Sequence, residues 1–283
     1  MRKPIVKAIF AFWAMLALSS IVFAQGRGRV VPPGFIAEGV PKMPNPPGPA
    51  PKRDLSGAWV GPMNSNKPDA VPPMTPAGAA IFKTHHAYLP NGLLVDGGKL
   101  PPTNDPFTTC DPLGFPRNLL AHAITMRGGT LFGSAPNRIL IGYEQQRVWR
   151  EIWLDGRQLP TKVDAVGTPE SRWYGYSVGH WEDDTNFVID TTGLDERPWL
   201  DEAGHPRSSM AHIQERYTRV DQYNMKLTVT VNDPTYYTKP FVFMRADFYW
   251  MKAQEFAETF CIPSEGIEYR DSLTQPSGIP IVK

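Results

Sequence analysis

The sequence predicts an all-β fold, an antiparallel β-barrel with a long irregular N-terminal insertion that carries one short helix. Three observations lead there. Segments with the period-two alternation of strands recur at short spacing, joined by turn residues and without the alternating helices of a parallel sheet. The 30 prolines and 24 glycines argue against long helices and for turns and short strands. Many of the strands carry bulky residues on both faces, a pattern that closure into a barrel accommodates while it removes the sheet edges. A hydrophobic fraction of 41% and an aromatic fraction of 11% supply a real core.

Residues 1–24 read as a signal peptide. Arg2, Lys3 and Lys7 form its positive region, 8–22 its apolar region, and Val22, Phe23 and Ala24 a small-residue cleavage site before Gln25. The alternative is a membrane anchor, but the apolar run is shorter than the roughly 20 residues a span needs. No other stretch is long and apolar enough, so no membrane span is expected after cleavage. Residues 25–52 are a proline-rich linker, semi-extended because each proline fixes its own φ and removes a donor. Residues 53–283 are expected to form a single β-barrel domain, outside the cytoplasm, secreted or periplasmic. The 29 basic and 28 acidic side chains leave a formal charge of +1, which gives no reason to expect a nucleic acid or an anionic membrane as partner. The two cysteines, Cys110 and Cys261, both follow the signal, and in an oxidising compartment they are expected to be bridged. Such a bridge closes a long loop and contributes on the order of 4 kcal/mol in the chain-entropy model.

The barrel segment opens at 54–59, DLSGAW, a short turn entering a strand. The insertion, 61–120, holds one helix candidate: Thr75 as N-cap, Pro76 at the first position and propagation over 77–87. The breakers at 104–106 and 110–117 read as loop, pinned by the Cys110 bridge. Strands are expected at 138–145 and 146–154. In the second, Val148, Arg150, Ile152 and Leu154 share one face and Trp149, Glu151 and Trp153 the other. Asp155-Gly156 is a turn signal. A hairpin then runs from 173 to 193, WYGYSVGHWEDDTNFVIDTTG, folded at 182–185. After a loop through 199–206, a second hairpin joins 211–220 to 225–232, and 241–250 and 256–260 supply the last strands before a tail at 272–283. There is no internal repeat.

Gly57-Ala58-Trp59 is similar to the G-x-W entry of lipocalin-like barrels. More specific is the series NDP and CDPLGFPR at 104–117, WREIWLDGR at 149–157, GYSVGHWEDDT at 175–185, DTTG at 190–193, WLDEAGHP at 199–206, HIQERY at 212–217 and NDPTYYTKP at 232–240. It resembles a large family of secreted bacterial proteins and covers nearly the whole chain after the signal. The family pattern has glycine where this chain has Asp183 and an aliphatic residue where it has Asn186. The resemblance implies one secreted domain and a lipocalin-like barrel; it supplies no activity.

No H-E-x-x-H, Walker loop or dinucleotide fingerprint occurs, and no cofactor is expected. His85 and His86, adjacent on a helix, would point about 100° apart, so no metal site is expected either. The densest polar group inside a strand is His212, Glu215 and Arg216. Residues three apart on a strand face opposite sides, so His212 and Glu215 share a face only across a bulge. With the tip at 221–223 and Asn224 left-handed, Ile213, Glu215 and Tyr217 lie beside Val231, Val229 and Leu227. Glu215 is then a carboxylate on the apolar face, where its proton affinity would rise as a general acid requires. The alternative is a structural ion pair with an arginine such as Arg150.

The candidate catalytic residues are Glu215, His212, His205 and Asp190. The candidate ligand-binding residues are Arg150, Trp153, Trp173, Tyr176, Trp181, Arg216 and Tyr217. Trp149, Trp153, Trp173, Trp181, Trp199 and Trp250 could line one cavity, although tryptophans are more often core. Two readings follow. One is a secreted barrel that binds a small apolar or aromatic ligand. The other is a cofactor-independent acid–base enzyme, a hydratase, isomerase or hydrolase, acting on a small hydrophobic substrate. Convergence of a carboxylate and a histidine in a cavity separates them.

Overall fold

Nine strands close on themselves in sequence order: β1 (Gly57–Asn66), β2 (Gly129–Ala135), β3 (Arg138–Tyr143), β4 (Val148–Trp153), β5 (Tyr176–Trp181), β6 (Asn186–Thr192), β7 (His212–Arg219), β8 (Asn224–Asn232) and β9 (Phe241–Met251). The structure is a computed structural model that describes residues 46–66, 71–87, 103–120, 129–251, 256 and 261–262. β1 pairs with both β2 and β9, so this part of the chain leaves no open sheet edge. The result is the lipocalin-like barrel the sequence predicts, antiparallel at every neighbouring pair but one. The exception is β4–β5, parallel and joined over just two residue pairs, Ile152 with Ser177 and Trp153 with Val178.

Alternation decides which residues fill the interior. On β7 and β8 the residues Ile213, Glu215 and Tyr217 are buried opposite Val231, Val229 and Leu227, the pairing that the hairpin pattern predicts. Asn224 is not left-handed, however. Instead Asp221 accepts the Tyr223 and Asn224 backbone N–H groups at 2.7 and 2.9 Å, so its side chain makes the turn that a left-handed residue would otherwise make. Trp59, Phe132, Ile141, Phe187, Ile189 and Phe248 join the same packed core.

One end of the barrel is closed by Trp59, whose indole N–H donates to the Leu55 carbonyl at 3.0 Å. The Arg219 guanidinium lies 4.6 Å over its ring and donates to the Asp54 and Gln222 carbonyls. Residues 46–52, placed by composition in the linker, reach this end: the Gln222 N–H donates to the Gly48 carbonyl. The other end is covered by 103–120, 193–211 and a helix, α1 (Pro76–Phe82), and Phe115, Leu119, Leu194 and Leu200 enter the core from there.

Several expected elements differ. Thr75 caps α1 as expected, its hydroxyl accepting the Gly78 N–H at 3.1 Å, but the helix stops at Phe82 rather than Ala87. His85 lies beyond it, stacked on Trp199 at 4.6 Å. The period-two pattern does not predict β2. The strand expected at 146–154 begins at Val148, because Gln146 and Arg147 are left-handed and make the turn. Phe256 is in no strand, and 257–260 lie outside the described residues, as does the signal peptide. Cys110 and Cys261 are bridged, with Cα atoms 5.4 Å apart.

Candidate functional site

β4 and β5 part below their two paired residues, and the gap opens a cleft of about 540 Å³ on the outside of the barrel wall. The local sequence explains the parting. Asp155 does not turn the chain into a hairpin. Its carboxylate holds the Arg157 backbone N–H at 3.2 Å and the Arg157 guanidinium at 2.6 Å. The chain then crosses over through 157–175 and enters β5 in the same direction as β4. Along the way the Thr192 hydroxyl donates to the Pro160 carbonyl at 2.7 Å and the Tyr176 hydroxyl to the Glu170 carbonyl at 2.8 Å. Gly175 is left-handed, and a Cβ there would lie 2.6 Å from the Thr192 carbonyl oxygen.

The walls are aromatic and the rims cationic. Trp149 is 57% exposed and lies on Gly142, where an added Cβ would stand 2.7 Å from its ring. Arg157 and Arg138 pack on Trp153 at 3.4 and 3.9 Å. Arg197 packs on Trp173 and Arg172 on Tyr176, both at 4.1 Å. The Trp173 carbonyl accepts the Phe115 N–H, which ties this wall to the segment covering the barrel end.

At the floor of the cleft, Arg150 and Ser177 turn inward to a buried polar network. The Arg150 guanidinium donates to the Glu215 carboxylate at 2.8 Å, to the Ser177 and Thr191 hydroxyls at 3.1 Å each, and to the Tyr143 hydroxyl at 3.0 Å. The Tyr217 hydroxyl donates to the other Glu215 oxygen at 2.9 Å. The guanidinium lies 3.7 Å over the Phe115 ring. Burial is the largest single influence on the Arg150 pKa and would lower it, but the Glu215 charge and hydrogen bond, together with Tyr143 and Tyr217, outweigh it and the net shift is upward. Burial pushes Tyr143 up to about 12. Burial and the Glu215 charge hold Tyr217 well above the ordinary tyrosine value.

The candidate residues therefore fall into separate places. Arg150, Trp153, Trp173 and Tyr176 line the cleft. Glu215 and Tyr217 lie behind its floor. His212 faces the other side of β7, where its Nε2 meets Asp190 at 2.9 Å, and that bond holds the Asp190 carboxyl below its usual range. Arg216, on the same outer face, pairs with Glu182. His205 sits in the loop over the far end, its Nδ1 2.6 Å from Asp201 and its ring stacked on Phe82. Neither histidine meets Glu215. Nor do the tryptophans share one lining. Trp181 packs on Phe187 and Trp250 on Tyr223, while Trp199 lies under His85. Trp149, one of the tryptophans expected to line a cavity, does line the cleft; Tyr174, Arg157 and Arg172 line it too without a ligand-binding role being predicted for them, and the aromatic run 173–176 is the signal for Tyr174. Among the described residues no three histidine, cysteine, aspartate or glutamate side chains converge to hold a metal.

No family model matches the chain, and no curated protein matches it.

Proposed function

We propose that the protein is an exported barrel that binds a small aromatic ligand in the cleft between β4 and β5. The observation that carries this reading is the cleft itself, about 540 Å³ and walled by Trp149, Trp153, Trp173, Tyr174 and Tyr176. That volume is in the range of small-molecule sites, and flat side chains present area at low entropic cost. The barrel interior is already filled by Trp59, Phe132, Tyr217 and Phe248, so the ligand is placed in the wall rather than the lumen. The signal-like N-terminus and the disulfide support export.

Binding is favoured over acid–base catalysis by one feature of the site. The two carboxylate–histidine contacts, Asp190 with His212 and Asp201 with His205, do not line the cleft, and Glu215 is held by Arg150. Titration calorimetry with naphthol and with indole tests the reading. Saturable binding is expected, and Trp153→Ala and Trp173→Ala should each weaken it by about tenfold, the scale of a lost aromatic contact. Absence of saturable binding to both, or binding unchanged in both variants while they melt like the parent, would overturn it.

A further inference from the structure

We infer that the cleft selects aromatic carboxylates, with Arg172 as the anchor for the carboxylate; this rests on the cleft being the binding site. Charge bookkeeping within the cleft singles the residue out. Four charged side chains line it: Arg150, Glu151, Arg157 and Arg172. Three already have ionic partners. Arg150 meets Glu215 at 2.8 Å, Arg157 meets Asp155 at 2.6 Å, and Glu151 meets Arg138 at 3.1 Å. Among the described residues Arg172 makes no ion pair, so the cleft carries one uncompensated positive charge.

The placement of that charge matches its use. The Arg172 guanidinium is exposed and rests 4.1 Å over the Tyr176 ring. Stacking on an aromatic face restrains the fork and leaves its N–H edges open to a bidentate carboxylate. The backbone beneath is fixed on its own account. The Arg172 N–H donates to the Gly193 carbonyl, and the Arg172 carbonyl accepts from Gly175 and Asp195. A ring held among Trp153, Trp173 and Tyr176 would carry its carboxylate to this guanidinium. A neutral ligand would leave the charge uncompensated, and a cationic one would be repelled.

The test uses three probes of one shape at neutral pH: naphthol, naphthoate and naphthylmethylammonium, titrated by calorimetry. Naphthoate is expected to bind about tenfold tighter than naphthol, the scale of a charge-assisted hydrogen-bonded pair, and the ammonium weakest. Added salt should weaken naphthoate and leave naphthol unchanged. Arg172→Gln should bring naphthoate to the affinity of naphthol without altering naphthol, while Arg172→Lys keeps part of the preference. Equal affinities of naphthol and naphthoate in the parent, or a preference that survives Arg172→Gln, would overturn the inference and leave the aromatic site standing. Failure of all three probes to bind would overturn both.

Discussion

Glu215 is a fully buried carboxylate with its charge met by one guanidinium, and that fixes what each partner can tolerate. Taking both ions out of water costs several kcal/mol each, and the pair offsets part of this through hydrogen bonds with the Ser177, Thr191, Tyr143 and Tyr217 hydroxyls, although the buried Arg150 Nε–H has no partner among the described residues. Glu215→Gln keeps the shape but leaves Arg150 as a buried cation without its counter-charge. Stability should fall by about 3–5 kcal/mol, read by urea unfolding, and Arg150→Met with Glu215→Leu should restore much of it. A Glu215→Gln protein as stable as the parent but unable to bind the aromatic probes would assign Glu215 to function instead. The inward position of Glu215 was legible because β7 alternates strictly and its hairpin register puts apolar beside apolar. Arg150 was legible as an arginine on the same face as Ile152. Ser177 was not, because its place in the network follows from a strand pairing that leaves no local mark.

That pairing is the main departure at the level of elements. Asp155-Gly156 carries the strongest short-range hairpin signal in this region, yet Asp155 spends its carboxylate on Arg157 and the chain crosses over instead of reversing. What sets the crossover is a close approach at its far end, where Gly175 has φ of +67° against the backbone of Thr192. Gly175→Ala forces a left-handed alanine against a carbonyl oxygen that cannot move aside. It should cost about 1–3 kcal/mol in thermal unfolding and weaken the aromatic probes, since the wall 173–176 shifts with it. Normal stability and binding in that variant would show the seam to be unconstrained there. By contrast, the turn at 182–185 was legible in kind: Asp183 accepts the Thr185 and Asn186 backbone N–H groups at 2.7 Å each, as short acidic side chains do in turns.

Over the whole molecule, the fold class was legible because period-two patterning, turn residues and the lack of helical spacing agree with one another. The site was not, because it forms where the wall is incompletely paired and its residues come from β4, the crossover and the start of β5. The insertion that reads as breakers in sequence is tied in by Arg117, paired with a buried Asp105 at 2.8 Å, and by the Cys110–Cys261 bridge. With its cysteines 151 positions apart in the sequence, that bridge should contribute roughly 4–5 kcal/mol in the chain-entropy model. Unfolding with and without reductant measures it, and identical midpoints would show the bridge to be energetically idle.

In the proposed function, ligand meets the wall of the barrel and not its lumen. Proton–nitrogen correlation spectra of the labelled protein, recorded as naphthol is added, test it through the tryptophan indole groups. The indole signals of Trp149, Trp153 and Trp173 should move in proportion to saturation. That of Trp59, bonded to Leu55 inside the barrel, should stay where it is. Movement of Trp59 with the three cleft signals unchanged would place the ligand in the lumen and contradict the account.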